Sequence, residues 1–218
     1  MILSPVIISI KVALTATAIV FILGITLAFI FTRYNFRGKS FLETLILLPM
    51  CLPPTVVGYG LLLVMGKNGF VGKLSLILFG KSLVFTWIGA AIGGAIVALP
   101  LMYQSIKAAF LNIDTSYMET ARTLGASEMC VFLHIILPLA LEGIVSGIIL
   151  SFTRALGEFG ATLMVAGNIP GKTQTIPIAI YFAVESGDRF QANVLMAIVV
   201  IFSFTVVFFL NRWIRIRR

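Results

Sequence analysis

Residues 108–130 read AAFLNIDTSYMETARTLGASEMC and form a polar segment between two long apolar runs. Asp114 and the two hydroxyl residues after it can cap a helix start, and Gly125 can end that helix in a left-handed turn. Ser127 can then cap a second helix. The pattern predicts a helix, a glycine corner and a second helix, which together make a compact knob suited to docking into a groove of a partner. Side chains that recur at helical spacing within it are Tyr117, Met118, Ala121 and Leu124.

The composition of the whole chain places this knob in a membrane protein. Of 218 residues, 60% are hydrophobic and 11% are charged, and the mean hydropathy is +1.10. A soluble domain carries about 25% charged residues, and a chain of this size cannot hide so much apolar surface in one core. The net charge of +8 does not indicate nucleic acid, because the basic residues cluster in short gaps between apolar runs and at the C-terminus. Membrane lipid is therefore the expected surrounding of the chain.

Five apolar runs are long enough to cross the membrane, since a helix of about 20 residues spans about 30 Å of hydrocarbon. A shorter run at Thr175–Val184 contains Pro177 and precedes charged residues, so we expect a short interfacial helix there. The fold class is therefore all-α transmembrane, with five long spans and a short outer helix. The five runs are Val6–Thr32, Phe41–Met65, Leu83–Lys107, Val131–Val165 and Asn193–Asn211.

The distribution of basic residues predicts the orientation of the chain. Five crossings put the termini on opposite sides, and cytoplasmic loops carry an excess of Lys and Arg. An outside N-terminus and a cytoplasmic C-terminus place nine of the basic residues inside and five outside. The inside residues are Arg33, Arg37, Lys39, Lys107, Arg122, Arg212, Arg215, Arg217 and Arg218, and the outside residues are Lys67, Lys73, Lys81, Lys172 and Arg189.

The second apolar run is rich in residues that break helices. Proline removes a backbone donor and disfavours helix in the residue before it, and in lipid the freed carbonyl groups need partners in protein or in a wet cavity. The run is therefore either a broken helix that lines a pathway or gate, or a kink packed against neighbouring helices. Its candidate gate residues are Pro53, Pro54 and Gly58, which lie between Pro49 and Gly60.

Two charges lie within the fourth run. Arg154 and Glu158 are four residues apart, so we expect them to share a helix face and to pair. Counting about 1.5 Å per residue from Pro138 puts Arg154 roughly 24 Å along the helix, toward its outer end. The pair, with the adjacent Phe159, either borders the outer part of a pathway or its gate, or is a structural pair that orients the fourth span.

Residues for catalysis or metal binding are not grouped in the sequence. Cys51 lies in an apolar run, Cys130 lies in the polar segment, and His134 is the one histidine, so neither a disulfide nor a metal site is indicated. The chain also lacks the phosphate-binding pattern Gly-x-x-x-x-Gly-Lys-Ser/Thr. We therefore expect neither an enzyme nor a bound cofactor in this chain.

The polar segment carries a family resemblance. Glu119-Thr120-Ala121, a spacer of three residues, Gly125 and then Ile136-Leu137-Pro138 resemble the coupling motif of ABC importer permeases. The resemblance implies a type I ABC importer permease fold, a single domain over residues 1–218, and a cytoplasmic coupling loop at about 108–130. It also implies an ABC ATPase subunit as partner, an extracytoplasmic oxyanion-binding protein, and a second permease copy in a homodimer. The residues it assigns to coupling are Glu119, Ala121, Arg122, Leu124 and Gly125.

The resemblance extends over nearly the whole chain, and it also indicates which substrate such a chain carries. Residues 48–59, 66–72, 121–126 and 154–162 look like molybdate permeases, which implies import of molybdate, with tungstate as a further substrate. Sulfate and thiosulfate permeases share the string Gly-Glu-Phe-Gly at 157–160 but tend to be longer, so sulfate stays the alternative. A more distant alternative is an ion-coupled secondary transporter, although neither buried acidic residues near mid-span nor two related halves are evident.

Overall fold

The chain folds into helices joined by short connections, and the residues described contain no strand. The structure is a computed structural model that describes residues 2–217, with side chains described for 2–209 and 212. The helices are α1 Leu3–Arg33, α2 Lys39–Cys51, α3 Pro54–Met65, α4 Phe70–Phe79, α5 Trp87–Leu111, α6 Thr115–Thr123, α7 Glu128–Leu139, α8 Leu141–Leu156, α9 Gly160–Ala166, α10 Ile176–Glu185 and α11 Arg189–Arg217.

Small residues bring the three central helices α1, α5 and α8 close together. A Cβ atom added to Gly94 of α5 would lie 3.6 Å from Ala16 of α1 and 3.6 Å from Ala155 of α8. Both alanines are buried in the main apolar cluster, together with Met102. Because lipid supplies little drive for helices to associate, close van der Waals packing of this kind stabilises their contact. The other helices attach to this central group.

The helices match the five predicted spans in number and approximate position. In the part of the chain described, α1, α5 and α11 are each long and apolar enough to cross a membrane. The pairs α2–α3 and α7–α8 are long and apolar enough only when each pair is taken together, and they are bent by 117° and 69°, so the described chain reaches five spans when each bent pair counts as one. Large apolar side chains are exposed along most helices, which suits lipid as the surrounding solvent. The prediction that the second span is a broken helix is confirmed.

The prediction of one continuous fourth span over Val131–Val165 is wrong. Its helical structure is interrupted at Ala140 and again at Gly157–Phe159. The first bend follows a π-helical stretch at Phe132–Ile136 and Pro138, which lacks a backbone donor. The second break leaves α9 as a separate short helix. Positions counted along a straight helix from Pro138 therefore do not apply.

Other helix ends differ more modestly from the prediction. α5 begins at Trp87 rather than Leu83, because the Thr86 side chain accepts a hydrogen bond from Gly89 N at 3.1 Å and caps the helix there. It continues to Leu111, so the first residues of the predicted loop belong to α5. The helix α4 was not predicted. The short helix expected near Thr175–Val184 is present as α10.

Candidate functional site

The break between α2 and α3 lies against the start of α9. Leu52 and Pro53 are extended, with ψ of 148° and 136°. A Cβ atom added to Gly160, the first residue of α9, would lie 3.0 Å from Pro54 Cβ. Two interruptions of helical structure, one between α2 and α3 and one between α8 and α9, therefore meet in space although they are about 100 residues apart in the chain.

Glycine allows the helices beside these breaks to touch at their backbones. A Cβ atom on Gly58 of α3 would lie 2.7 Å from Ala161 Cα and 2.9 Å from Met164 Cβ, both on α9. The first of these atoms is backbone and cannot move aside cheaply. Gly60, two residues on, has nothing within 4 Å of such an atom. The two glycines of α3 therefore have different roles, and Gly58 is the one that fixes α3 against α9.

The second break contains the ion pair predicted between Arg154 and Glu158. Arg154 Nη1 lies 2.7 Å from Glu158 Oε2, and the other carboxylate oxygen accepts a hydrogen bond from Ala161 N at 2.9 Å. The Glu158 side chain is 1% exposed, whereas that of Arg154 is 35% exposed. The carboxylate is therefore satisfied on both oxygens, and the guanidinium keeps an accessible surface.

The prediction that this pair shares one helix face is wrong, although the pairing itself is confirmed. α8 ends at Leu156, and Glu158 lies in the break that follows. The reason is local competition, because the Glu158 side chain bonds to a backbone donor in the first turn of α9 and so favours a new helix start. Phe159 lies in the same break, and its ring centroid is 5.3 Å from that of Tyr181 on α10.

The six predicted gate residues are thus brought to one region of the fold. Pro54 and Gly58 contact the start of α9, and Pro53 is exposed at the first break. Arg154, Glu158 and Phe159 lie at the second break. The arrangement brings two interruptions of helical structure close to one partly exposed cation. Such a combination can change shape and can attract an anion.

The knob predicted from residues 108–130 is present as α6, a corner and the start of α7. Asp114 Oδ1 accepts a hydrogen bond from Ser116 N at 2.9 Å, which lowers the pKa of that carboxyl. Gly125 has φ of +86°, the left-handed corner expected of it, and Ser127 Oγ accepts a bond from Cys130 N at 3.3 Å. The helix-capping predictions are therefore confirmed.

The predicted coupling residues divide into an inward and an outward set. Ala121, with Met118, packs against the main apolar cluster and attaches the knob to the bundle. Glu119 and Gly125 are exposed, and Leu124 is 82% exposed. Tyr117 and Met129 of the knob are also exposed. The outward face of the knob is therefore apolar and unusually accessible.

A charged cluster that the sequence did not indicate fixes the knob to α1. Glu128 accepts hydrogen bonds from Arg122 Nε at 2.7 Å and from Arg33 Nη2 at 3.0 Å. The bond from Arg122 and the positive charge of Arg33 lower the pKa of this carboxyl. Arg33 ends α1 and is 95 residues away in sequence, so no local pattern could have identified the contact. Arg122 therefore bonds within the knob, and Arg33 joins the knob to α1 through Glu128.

A multi-span helical bundle with an exposed apolar knob and a broken, cation-bearing centre has the architecture of a membrane transport subunit. The chain belongs to the family of binding-protein-dependent transport system inner membrane components, whose model matches residues 5–217. It is therefore a multi-pass protein of the inner membrane, a permease component rather than an enzyme.

Relatives named as molybdenum or sulfate transport permeases resemble the chain. A Bacillus subtilis (strain 168) protein provisionally named a molybdenum transport system permease is 47% identical over 209 residues, or 96% of this chain and 92% of the relative. The molybdenum transport system permease of Haemophilus influenzae is 42% identical over 88% of this chain and 84% of its own length. A sulfate transport system permease of Salmonella typhimurium is 33% identical over 87% of this chain and 68% of its own length.

Solved structures support the fold. The chain matches the MetNI methionine ABC transporter in its inward-facing conformations with a TM-score of 0.73 at 16% identity, covering 99% of this chain and 95% of that one. It also matches a bacterial alginate ABC transporter in complex with an alginate-bound periplasmic protein, with a TM-score of 0.68 at 17% identity, covering 95% and 77%. The expected type I ABC importer permease fold is confirmed.

Proposed function

We propose that this chain is the membrane-spanning subunit of an ATP-driven importer that moves molybdate, and also tungstate, into the cytoplasm. The observation that carries the proposal is the identity of 42–47% to relatives named as molybdenum permeases. The sulfate permease relative is more distant, at 33%. Sulfate remains the second candidate because that relative still matches 87% of the chain.

The knob is the docking element for a separate ABC ATPase, which binds the ATP while this chain carries no cofactor of its own. Leu124, Tyr117 and Met129 provide an apolar surface for a groove in that partner, and Glu119 provides a charge beside it. Exposed aromatic and aliphatic residues surrounded by polar groups are typical of protein contact sites. The Glu128 cluster and Ala121 transmit the partner's movement to α1 and to the central bundle.

The orientation that suits this docking has the knob and the C-terminus in the cytoplasm and the N-terminus outside. The basic residues follow the same orientation under the positive-inside rule. An extracytoplasmic oxyanion-binding protein delivers the substrate to the opposite face. A second permease copy completes the pathway, since α2, α3 and α11 each present exposed apolar side chains to a neighbour or to lipid.

Arg154 is the residue of this chain that meets the anion in the pathway. Its guanidinium is paired with buried Glu158, and the Arg154 side chain as a whole is 35% exposed. A guanidinium suits the oxygens of a tetrahedral dianion because its N–H groups form a planar fork. One partly neutralised cation attracts a dianion without holding it tightly, as passage through a transporter requires. ATP-driven closure of the ATPases moves the knobs and changes the angle at the two breaks.

The test is ATP-dependent uptake of labelled molybdate by vesicles that contain this chain, its ATPase and its binding protein. Excess unlabelled tungstate should block the uptake, and excess sulfate should leave it intact. Absence of molybdate uptake together with robust sulfate uptake would assign the protein to sulfate transport. Uptake by the permease without ATP or the ATPase would contradict the ABC mechanism and favour an ion-coupled transporter.

A further inference from the structure

Three polar side chains outside the proposed gate join α2 to α5. The Tyr103 hydroxyl donates a hydrogen bond to Glu43 Oε1 at 2.5 Å, and the Lys107 ammonium group forms an ion pair with the same oxygen. Tyr103 is buried, and the side chains of Glu43 and Lys107 are 20% and 28% exposed. This Glu43 cluster is therefore a partly desolvated ion pair to which the Tyr103 hydroxyl adds a second donor, unlike a solvated surface contact.

The Glu43 cluster supplies the main polar contacts of α2, a helix that otherwise packs only loosely on the bundle. In the described chain, no side chain of α2 is fully buried. Ile46 and Leu47 pack partly against the main cluster and lie on the same helix face as Glu43, because residues three and four apart are neighbours. α2 packs on α5, whereas α3 packs most extensively on α9. The two arms of the broken span are thus held by different parts of the bundle.

The position of Lys107 links the Glu43 cluster to the knob. α5 continues four residues beyond Lys107 to Leu111, and α6 begins at Thr115 after a short turn. A helix is stiff along its axis. A displacement of the knob therefore moves Lys107 and Tyr103 by nearly the same distance. The opposite end of α2 leads directly into the extended residues Leu52–Pro53 at the first break.

We propose that Glu43, held by Tyr103 and Lys107, is a positioning residue that makes the α2 arm follow α5 whenever the knob moves. Separating the pair would leave two half-buried charges without partners, which is unfavourable. The pair therefore stays closed through the transport cycle, and bending concentrates at Leu52–Pro53, because Pro53 and Pro54 have no N–H group to bond back to α2. The inference rests on the proposed transport function, because it names the contact through which movement of the ATPase reaches the gate.

The first test is the number of substrate ions imported per ATP hydrolysed by the assembled transporter in vesicles. Glu43→Gln and Lys107→Met should each lower this ratio by about tenfold while ATP hydrolysis continues, a size typical of energetic coupling between sites. The reversed pair, Glu43→Lys with Lys107→Glu, should restore much of the ratio. Thr44→Val, at an exposed position of the same helix outside the cluster, should leave it unchanged. An unchanged ratio in both single variants would overturn the proposal, as would a reversed pair that assembles but transports no better than they do.

The second test does not depend on the substrate. Spin labels on native Cys51 of α2 and on Gln104→Cys of α5, in a Cys130→Ser background, report the distance between the two helices. With Glu43 intact we expect one narrow distribution, with and without ATP, and with Glu43→Gln a broadened one. Equal distributions in both proteins would refute the role of Glu43. Failure of the unaltered transporter to import any oxyanion would instead refute the proposed function, and the distance measurement would still decide the positioning role.

Discussion

The knob and the pair of helix breaks differ in how their parts are connected along the chain. The knob is local, since its caps and corner at Asp114, Gly125 and Ser127 lie within 14 residues. The breaks are non-local, because Gly58 meets Ala161 across about 100 residues. A local element can move as one body, whereas a contact between distant segments can open. Under the proposed function, the knob therefore moves as one unit and the contact between the breaks opens.

The largest expected effect is that of Arg154→Gln, which tests whether the second break is a pathway element or only a structural one. Removing Arg154 leaves the 1%-exposed carboxylate of Glu158 without its cation, and breaking a buried pair in this way costs about 3–5 kcal/mol. Glu158→Gln should cost less, because the exposed guanidinium remains hydrated. Thermal unfolding of the detergent-solubilised transporter measures both.

The double variant Arg154→Gln with Glu158→Gln separates the two roles. It removes both charges, so the free energy of unfolding should recover most of its value. If Arg154 meets the anion, uptake should remain absent despite this recovery. Recovery of uptake together with stability would show that the pair is structural and that the pathway lies elsewhere.

The next effect concerns the contact between the two breaks. Gly58→Ala places a methyl group 2.7 Å from Ala161 Cα, and such overpacking costs about 1–3 kcal/mol. Gly60→Ala is the matched control, because nothing lies within 4 Å of its added carbon. Comparing the unfolding temperature and uptake of the two variants measures the contact. Equal behaviour would mean that α3 and α9 are not held together as described.

A smaller effect is expected at the exposed face of the knob. Leu124→Ser should weaken binding of the ATPase by about tenfold, the loss that marks an important interface residue, and should leave the permease fold intact. Ile77→Ser, at the similarly exposed Ile77 of α4, is the control. Affinity of the purified permease for the ATPase is the measurement. Equal loss in both variants would argue against docking at Leu124.

The smallest effect is expected at the corner of the knob. Gly125→Ala forces a side chain into a left-handed conformation and costs about 1 kcal/mol. Gly38→Ala imposes the same strain, since Gly38 has φ of +88° and, like Gly125, open space around its Cα. Both variants should lose similar stability. Only Gly125→Ala should lower uptake per ATP, and a similar decrease in both would show that strain alone explains it.

The same difference between local and non-local elements explains which parts of the structure could be predicted from the sequence. The knob could be predicted residue by residue, because capping and left-handed glycine act over one helical turn. The proline-rich break could also be predicted, since Pro53 and Pro54 affect the backbone directly. The break at Gly157–Phe159 could not, because the spacing of Arg154 and Glu158 also fits a continuous helix and the interruption depends on where the Glu158 side chain bonds.

Contacts between distant charges were also beyond the sequence. Glu128 with Arg33, and Glu43 with Lys107, join helices whose neighbours are set by the packing of α1, α5 and α8. Each of these residues alone is an ordinary charge near a helix end. Their pairing becomes visible only when the small residues of the central helices have fixed which ends lie together.

The π-helical stretch at Phe132–Ile136 makes this part of α7 tolerant of a change in chain length. A π turn is an α-helix that carries one additional residue, so deleting one residue there would restore α-helical hydrogen bonding and keep the helix on either side in its present alignment. A deletion within α8 ahead of Ala155 would instead rotate every following side chain by about 100° and would turn Ala155 away from Gly94 of α5, which it now faces. Length variation in this arm should therefore be confined to these five residues.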